Sequence, residues 1–171
     1  MKFKLPPFLF FVFAFLTSNA QVKEAAQNLK QQSLKMGSAF IGGDYRTFAH
    51  YTYPLILKSM GGASKMVAIL TKGTNDMRAQ GMNFNNITFD EPSKIIKSGN
   101  ELQATIAQHT DIKVPNGRAV STSTLIAIST DNGINWTFIE TSNKDMSTLK
   151  KALPNLSSSI RIPVPLPPGT F

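Results

Sequence analysis

From Gln21 to Phe40 the apolar residues fall at Val22, Ala26, Leu29, Met36 and Phe40, close to the three-and-four spacing of one helix face, with Ser33 as the gap in the stripe. Gly42-Gly43 is placed to stop this helix, because glycine tolerates the left-handed geometry of a helix end. Asp44 is a natural cap for a second, short helix through about Tyr51, and Pro54 can open another that Gly61-Gly62 ends. A longer helix follows from Ala63 or Ser64, with Met66, Ile69, Leu70 and Met77 on one side and Gly81 at its close. Beyond Gly81 the period falls to two, as strands require. Ile87 and Phe89 alternate, Glu91-Pro92 interrupts, and Ile95-Ile96 resumes before a turn at Ser98-Gly99-Asn100. Leu102, Ala104 and Ile106 lead a long strand to Val114, where Pro115-Asn116-Gly117 is strong turn chemistry. A third strand runs from about Ala119 to Thr130, and Asp131-Asn132-Gly133 turns it into a fourth, Ile134 to Ser142. A short helix over Lys144 to Leu153 closes the pattern at Pro154.

If Asp131 to Gly133 form a three-residue loop, Ile128 lies opposite Trp136 and Ile126 opposite Phe138. The other face then pairs Leu125 with Ile139 and Ala127 with Thr137. Both faces are apolar, which predicts that both are covered, one by the helices and the other by a second subunit in a homodimer.

Helices first and long antiparallel strands afterwards make an α+β pattern. The opening residues add an address: Lys2 and Lys4 precede an apolar run from Phe8 to Leu16, then Ser18 and Ala20 stand at the spacing a signal peptidase reads. The run is too short to span a bilayer, so residues 1–20 are expected to be a signal peptide cleaved after Ala20, and the protein periplasmic or secreted. Residues 21–153 then form one α+β domain, and residues 154–171 an extended Pro-rich tail. The chain has no cysteine, which excludes thiolate metal sites, thiol catalysis and disulfides. The net charge of +8 is spread along the chain with no aromatic interleaving, which argues against nucleic-acid binding.

Asp44-Tyr45, Tyr51-Thr52-Tyr53-Pro54, Met60-Gly61-Gly62, Ser123 to Gly133 (STLIAISTDNG) and Asn135 to Ile139 (NWTFI) resemble a group of secreted bacterial proteins without assigned activity. That group belongs to the nuclear transport factor 2-like superfamily, also termed cystatin-like or SnoaL/ketosteroid isomerase-like. The resemblance covers roughly Gln21 to Pro163. It implies a cone: N-terminal helices packed on a curved antiparallel sheet of about four long strands. The superfamily holds isomerases and cyclases with an acid/base residue inside the cone, and also non-catalytic binding and dimerisation modules, so fold alone does not choose between them.

Candidate chemistry is sparse. Tyr45, His50, Tyr53, Met66, Trp136 and Phe138 are the expected lining of a ligand pocket for a small apolar or amphipathic molecule, since tyrosines offer a hydrogen bond from an apolar body. Glu140 shares the alternation of Trp136 and Phe138 and is the carboxylate nearest a cavity on that face, with Glu140 and His50 the weak candidates for proton transfer. His50 and His109 lie far apart in sequence with no acidic pair at ligand spacing, which leaves no metal site. No GxSxG, HExxH or phosphate-cradling glycine loop is present, and nothing calls for a cofactor. The reading is a non-catalytic binding module, with a cone-cavity isomerase or cyclase and a structural or protein-interaction module as alternatives.

Overall fold

The computed structural model of the chain describes residues 9–142, 144–163 and 169–170. The helices come first: α1 (Leu9–Ile41), α2 (Tyr45–His50), α3 (Pro54–Ser59) and α4 (Ala63–Ala79). The strands β1 (Asn83–Phe89), β2 (Ile96–Ser98), β3 (Glu101–Val114), β4 (Gly117–Ser129) and β5 (Thr137–Glu140) follow, then helix α5 (Met146–Ala152) and a two-residue strand β6 (Gly169–Thr170). The chain is therefore α+β, with helices followed by an open antiparallel sheet in the order β1-β3-β4-β5. β2 joins β1 on one edge of β3, and β6 joins β5 on one edge of β4.

The expected breaks are where the helices end. Asp44 accepts the Thr47 amide at 3.0 Å as the cap of α2, Pro54 opens α3, and Gly62 stands before α4. Asp145 caps α5 through the Thr148 amide at 2.7 Å. The Thr47 and Thr148 hydrogen bonds hold both capping carboxyls below the ordinary carboxylate range. The first helix is longer than the pattern predicts, running without interruption from Leu9 through the expected cleavage point. No described helix is long and apolar enough to cross a membrane.

The helix face that meets the sheet is rotated slightly from the apolar stripe. Ala25, Leu29, Ser33, Met36 and Gly37 are its buried residues, while Val22 is exposed and Ala26 half-buried. Small side chains win these positions because the backbones come close. A Cβ at Gly37 would stand 2.9 Å from the Phe89 ring and 3.2 Å from Ile87 Cγ2, so only glycine lets α1 lie this near β1. Ser33, fully buried, donates its hydroxyl to the Lys30 carbonyl one turn back at 2.8 Å, which satisfies it without a cross-sheet partner.

The last hairpin corrects the expected register by one residue. Ala127 pairs with Phe138 and Ile126 with Ile139, with Ile128 opposite Thr137 and Leu125 opposite Glu140. The three-residue loop is not formed. Residues 130–136 make a longer loop built on the spacing Ser129-x-Asp131-x-Gly133-x-x-Trp136. The Gly133 amide donates to Ser129 Oγ at 2.9 Å, the Asn135 amide to Asp131 Oδ1 at 2.9 Å, and Trp136 Nε1 to the Gly133 carbonyl at 3.1 Å. Asn132 and Gly133 both have positive φ, 59° and 88°. Helix α1 grips this loop: Asn28 donates to the Gly133 carbonyl at 3.1 Å, Gln32 to the Ile134 carbonyl at 2.8 Å, and the Trp136 amide to Gln32 Oε1 at 2.9 Å. Because a one-residue slip exchanges the faces, Leu125, Ala127 and Phe138 face the helices, and Ile126, Ile128 and Ile139 face away.

That outer face is covered by the chain itself. Leu149 and Leu153 of the α5 region, with Leu156 and Ile160 beyond it, pack on Ile126, Ile128 and Ile139. Gln103, fully buried in the outer row of β3, anchors the segment: its amide donates to the Asn155 carbonyl at 3.0 Å and its oxygen accepts the Ser157 amide at 2.9 Å. The domain thus continues past Leu153, and residues 154–162 are part of its packing rather than a detached tail. At the other end, Gly169–Thr170 does donate to a ladder, pairing with Ala119 and Val120 of β4. Residues 164–168, at the centre of the Pro-rich stretch, lie outside the described residues.

Candidate functional site

Along the inner face, the packing changes character near Met36. Below it, Ala25, Leu29, Trp136 and Ala127 fill the space between α1 and the sheet. Above it, the same helix and sheet face enclose a cavity of about 290 Å³. Its wall is aromatic and sulfur-rich: Phe40, Phe48, Phe84 and Phe138 with Met36, Met60 and Met66. Phe40 is the hub, with ring centroids 4.9 Å from Phe84, 5.3 Å from Phe48 and 5.7 Å from Tyr45, all in edge-on geometry. Rings that prop one another apart in this way keep a space open that methionines alone would fill.

Two polar groups of β3, Gln108 and Thr110, enter the wall, and the Gln108 amide is bonded to the Thr110 hydroxyl at 3.2 Å. Glu140 and Lys144 also line the cavity and are both exposed to solvent. Lys144 Nζ donates to the Glu140 backbone carbonyl at 3.2 Å, and Glu140 Oε1 accepts the Ser142 amide at 2.7 Å. Glu140 is therefore a solvated carboxylate at the rim, not a desolvated base.

Of the other residues expected at the pocket, Met66 and Phe138 line it and four do not. Tyr45 is buried with its hydroxyl donating to Thr74 Oγ1 of α4 at 2.8 Å, which makes it a tie between helices. Tyr53 packs with the outer-face cluster, where burial and then the Glu101 charge push its phenol pKa up. Trp136 is 1% exposed in the filled part of the core. His50 is exposed and lines a separate, open groove of about 850 Å³ on the far side of Thr52, with Arg46, Lys58 and the start of α4. His50 and Glu140, the two candidates for proton transfer, thus face different concavities, and no tyrosine lines either one. His109, the other histidine, lies on the outer face, bonded to Thr122 Oγ1 at 2.9 Å and Asp90 Oδ1 at 3.0 Å.

Among the described residues, no buried side-chain nitrogen or oxygen lacks a hydrogen-bond partner, and no group of three or more histidine and carboxylate side chains could hold a metal ion. What the cavity offers is apolar surface with the Gln108–Thr110 pair and the Thr52 hydroxyl, while its two charged lining residues, Glu140 and Lys144, are exposed to solvent. No family model, no curated protein and no solved structure matches this chain.

Proposed function

We propose that the chain is an exported, non-catalytic module of the cone-shaped nuclear transport factor 2-like kind, which holds a small apolar or amphipathic molecule in the cavity between α1, α4 and the inner face of the sheet. The observation that carries this reading is the cavity itself: about 290 Å³ walled by four phenylalanines and three methionines, beside a part of the same core that Leu29 and Trp136 fill. An apolar hollow costs stability through lost contacts, and occupation by a ligand recovers them.

The homodimer expected from the two-faced strands loses its motivation, because Leu149, Leu153, Leu156 and Ile160 occupy the apolar outer face. The rest of that face carries Thr88, His109, Asp111, Arg118 and Thr122, with Arg118 bonded to Asp111 at 2.8 Å. The reading therefore favours a monomer that binds its ligand within one chain.

Native mass spectrometry of the protein, purified gently from its own compartment, is the test. A single-chain mass with a reproducible small-molecule increment is expected. Protein that is bare under gentle conditions and takes up no apolar probe when titrated overturns the reading.

A further inference from the structure

The groove beside the cavity has a charge pattern the apolar reading leaves unused. Arg46, His50 and Lys58 line it and no aspartate or glutamate does. Among the described residues, neither Arg46 nor Lys58 takes part in an ion pair, whereas Lys30, Lys72 and Arg118 each do. Gly61 and Gly62, both at positive φ, bring the start of the 17-residue α4 to the same wall, and no side chain caps that helix. The concavity thus gathers the cationic side chains of Arg46 and Lys58 and first-turn amides around one space that no carboxylate lines; Asp44, whose carboxyl feels the Arg46 charge, stands outside that lining.

Thr52 connects the two concavities, lining both the groove and the cavity. Its hydroxyl reaches Met66 Sδ at 3.6 Å, a weak contact to a flexible thioether. On either side of it, the chain from α3 into α4 divides its residues: Ile56, Met60 and Met66 line the cavity, and Leu57, Lys58 and Val67 the groove. From these observations, and resting on the proposed cavity function, we infer that the ligand is an anionic amphiphile. Its oxyanion head, a phosphate or carboxylate, lies among Arg46, His50 and Lys58, and its apolar tail passes Thr52 and Met66 into the phenylalanine-walled cavity.

The alternative source of the same head-group chemistry is a free oxyanion held in the groove alone, and the test separates the two. Binding of octyl phosphate, octanol and inorganic phosphate to the purified protein is measured by calorimetry at low ionic strength. The same titrations follow for the Arg46→Ala/Lys58→Ala double variant and for Leu125→Phe, which narrows the cavity. Octyl phosphate is expected to bind at least about tenfold more tightly than octanol, the gain of one charge-assisted contact, and far more tightly than inorganic phosphate. In the double variant that advantage disappears while octanol binding stays unchanged, and in Leu125→Phe both alkyl probes weaken. Equal binding of octyl phosphate and octanol overturns the inference while leaving the cavity reading standing. An undiminished octyl phosphate affinity in the double variant does the same. Inorganic phosphate binding as tightly as octyl phosphate also overturns it, in favour of a separate oxyanion site. Octanol that does not bind the wild-type protein, or binds Leu125→Phe as well as wild type, overturns the cavity reading itself.

Discussion

The two ends of the inner face share one helix and one sheet, yet one is filled and the other hollow. At the filled end, small residues let the backbones close up, and Trp136 occupies the remaining volume with its indole N–H satisfied by Gly133. Asn28 and Gln32 of α1 then fix the 130–136 loop by hydrogen bonds. At the hollow end the residues are larger but touch edge to edge, so Phe40, Phe48 and Phe84 brace the walls apart. Hydrophobicity does not separate the ends. Backbone approach and polar anchoring do, and a chain able to build the first end keeps the second open at a cost in stability.

The largest effect is expected from emptying the filled end. Trp136→Ala should lower unfolding stability by about 3–5 kcal/mol, the usual cost of truncating a fully buried tryptophan, read by chemical denaturation followed with circular dichroism. A loss under about 1 kcal/mol would erase the distinction between the two ends. Next comes overfilling the same end. A Cβ at Gly133 falls on the Ala25 methyl, and the residue has φ 88°, so Gly133→Ala combines a clash with left-handed strain and should cost about 2–4 kcal/mol.

A smaller effect follows from pH. Burial raises the Asp131 pKa, but hydrogen bonds from Asn135 and Ser129 outweigh it and leave the carboxyl below its ordinary value. A lowered folded pKa means that the stabilisation is complete above the unfolded carboxylate value of about 3.9 and is withdrawn as pH falls through the folded value. The fluorescence of Trp136, the single tryptophan of the chain, should report loosening of the loop in that acid window, and Asp131→Asn should lack the step. The smallest effect on stability belongs to the hollow end. Leu125→Phe should change it by less than about 1.5 kcal/mol because the added ring has space to enter, while apolar probe binding is weakened. A large destabilisation there would mean that the wall is packed rather than open.

Much of this architecture is legible in the residues. The glycine and proline breaks place α2, α3 and α4, and Asp44 and Asp145 sit at helix starts. The period of two places β3 and β4 almost to the residue. Continuing the β3 alternation from Leu102, Ala104 and Ile106 puts Gln108 and Thr110 on the same face, so the polar pair in the cavity was there to be found. The hairpin register was not, since its loop length depends on Ser129 and Asp131 bonding backbone amides further along the loop, a choice that alternation of apolar residues does not encode. Nor was the role of Tyr45, because a buried hydroxyl declares itself only through its partner, and Thr74 lies in another helix. The outer cover was misread for a related reason: Leu149, Leu153, Leu156 and Ile160 gain meaning only once Gln103 binds the backbone at Asn155 and Ser157.

The most direct test of the central claim is a methyl spectrum of the protein labelled with carbon-13 at its methionine methyl groups, recorded as octanol is added. Met36, Met60 and Met66 line the cavity, whereas Met146 packs with the outer-face cluster and Met77 is absent from the cavity wall. The account predicts saturable shifts of the first three signals together, with Met77 and Met146 unmoved. Shifts confined to Met146, or none that saturate, would contradict it.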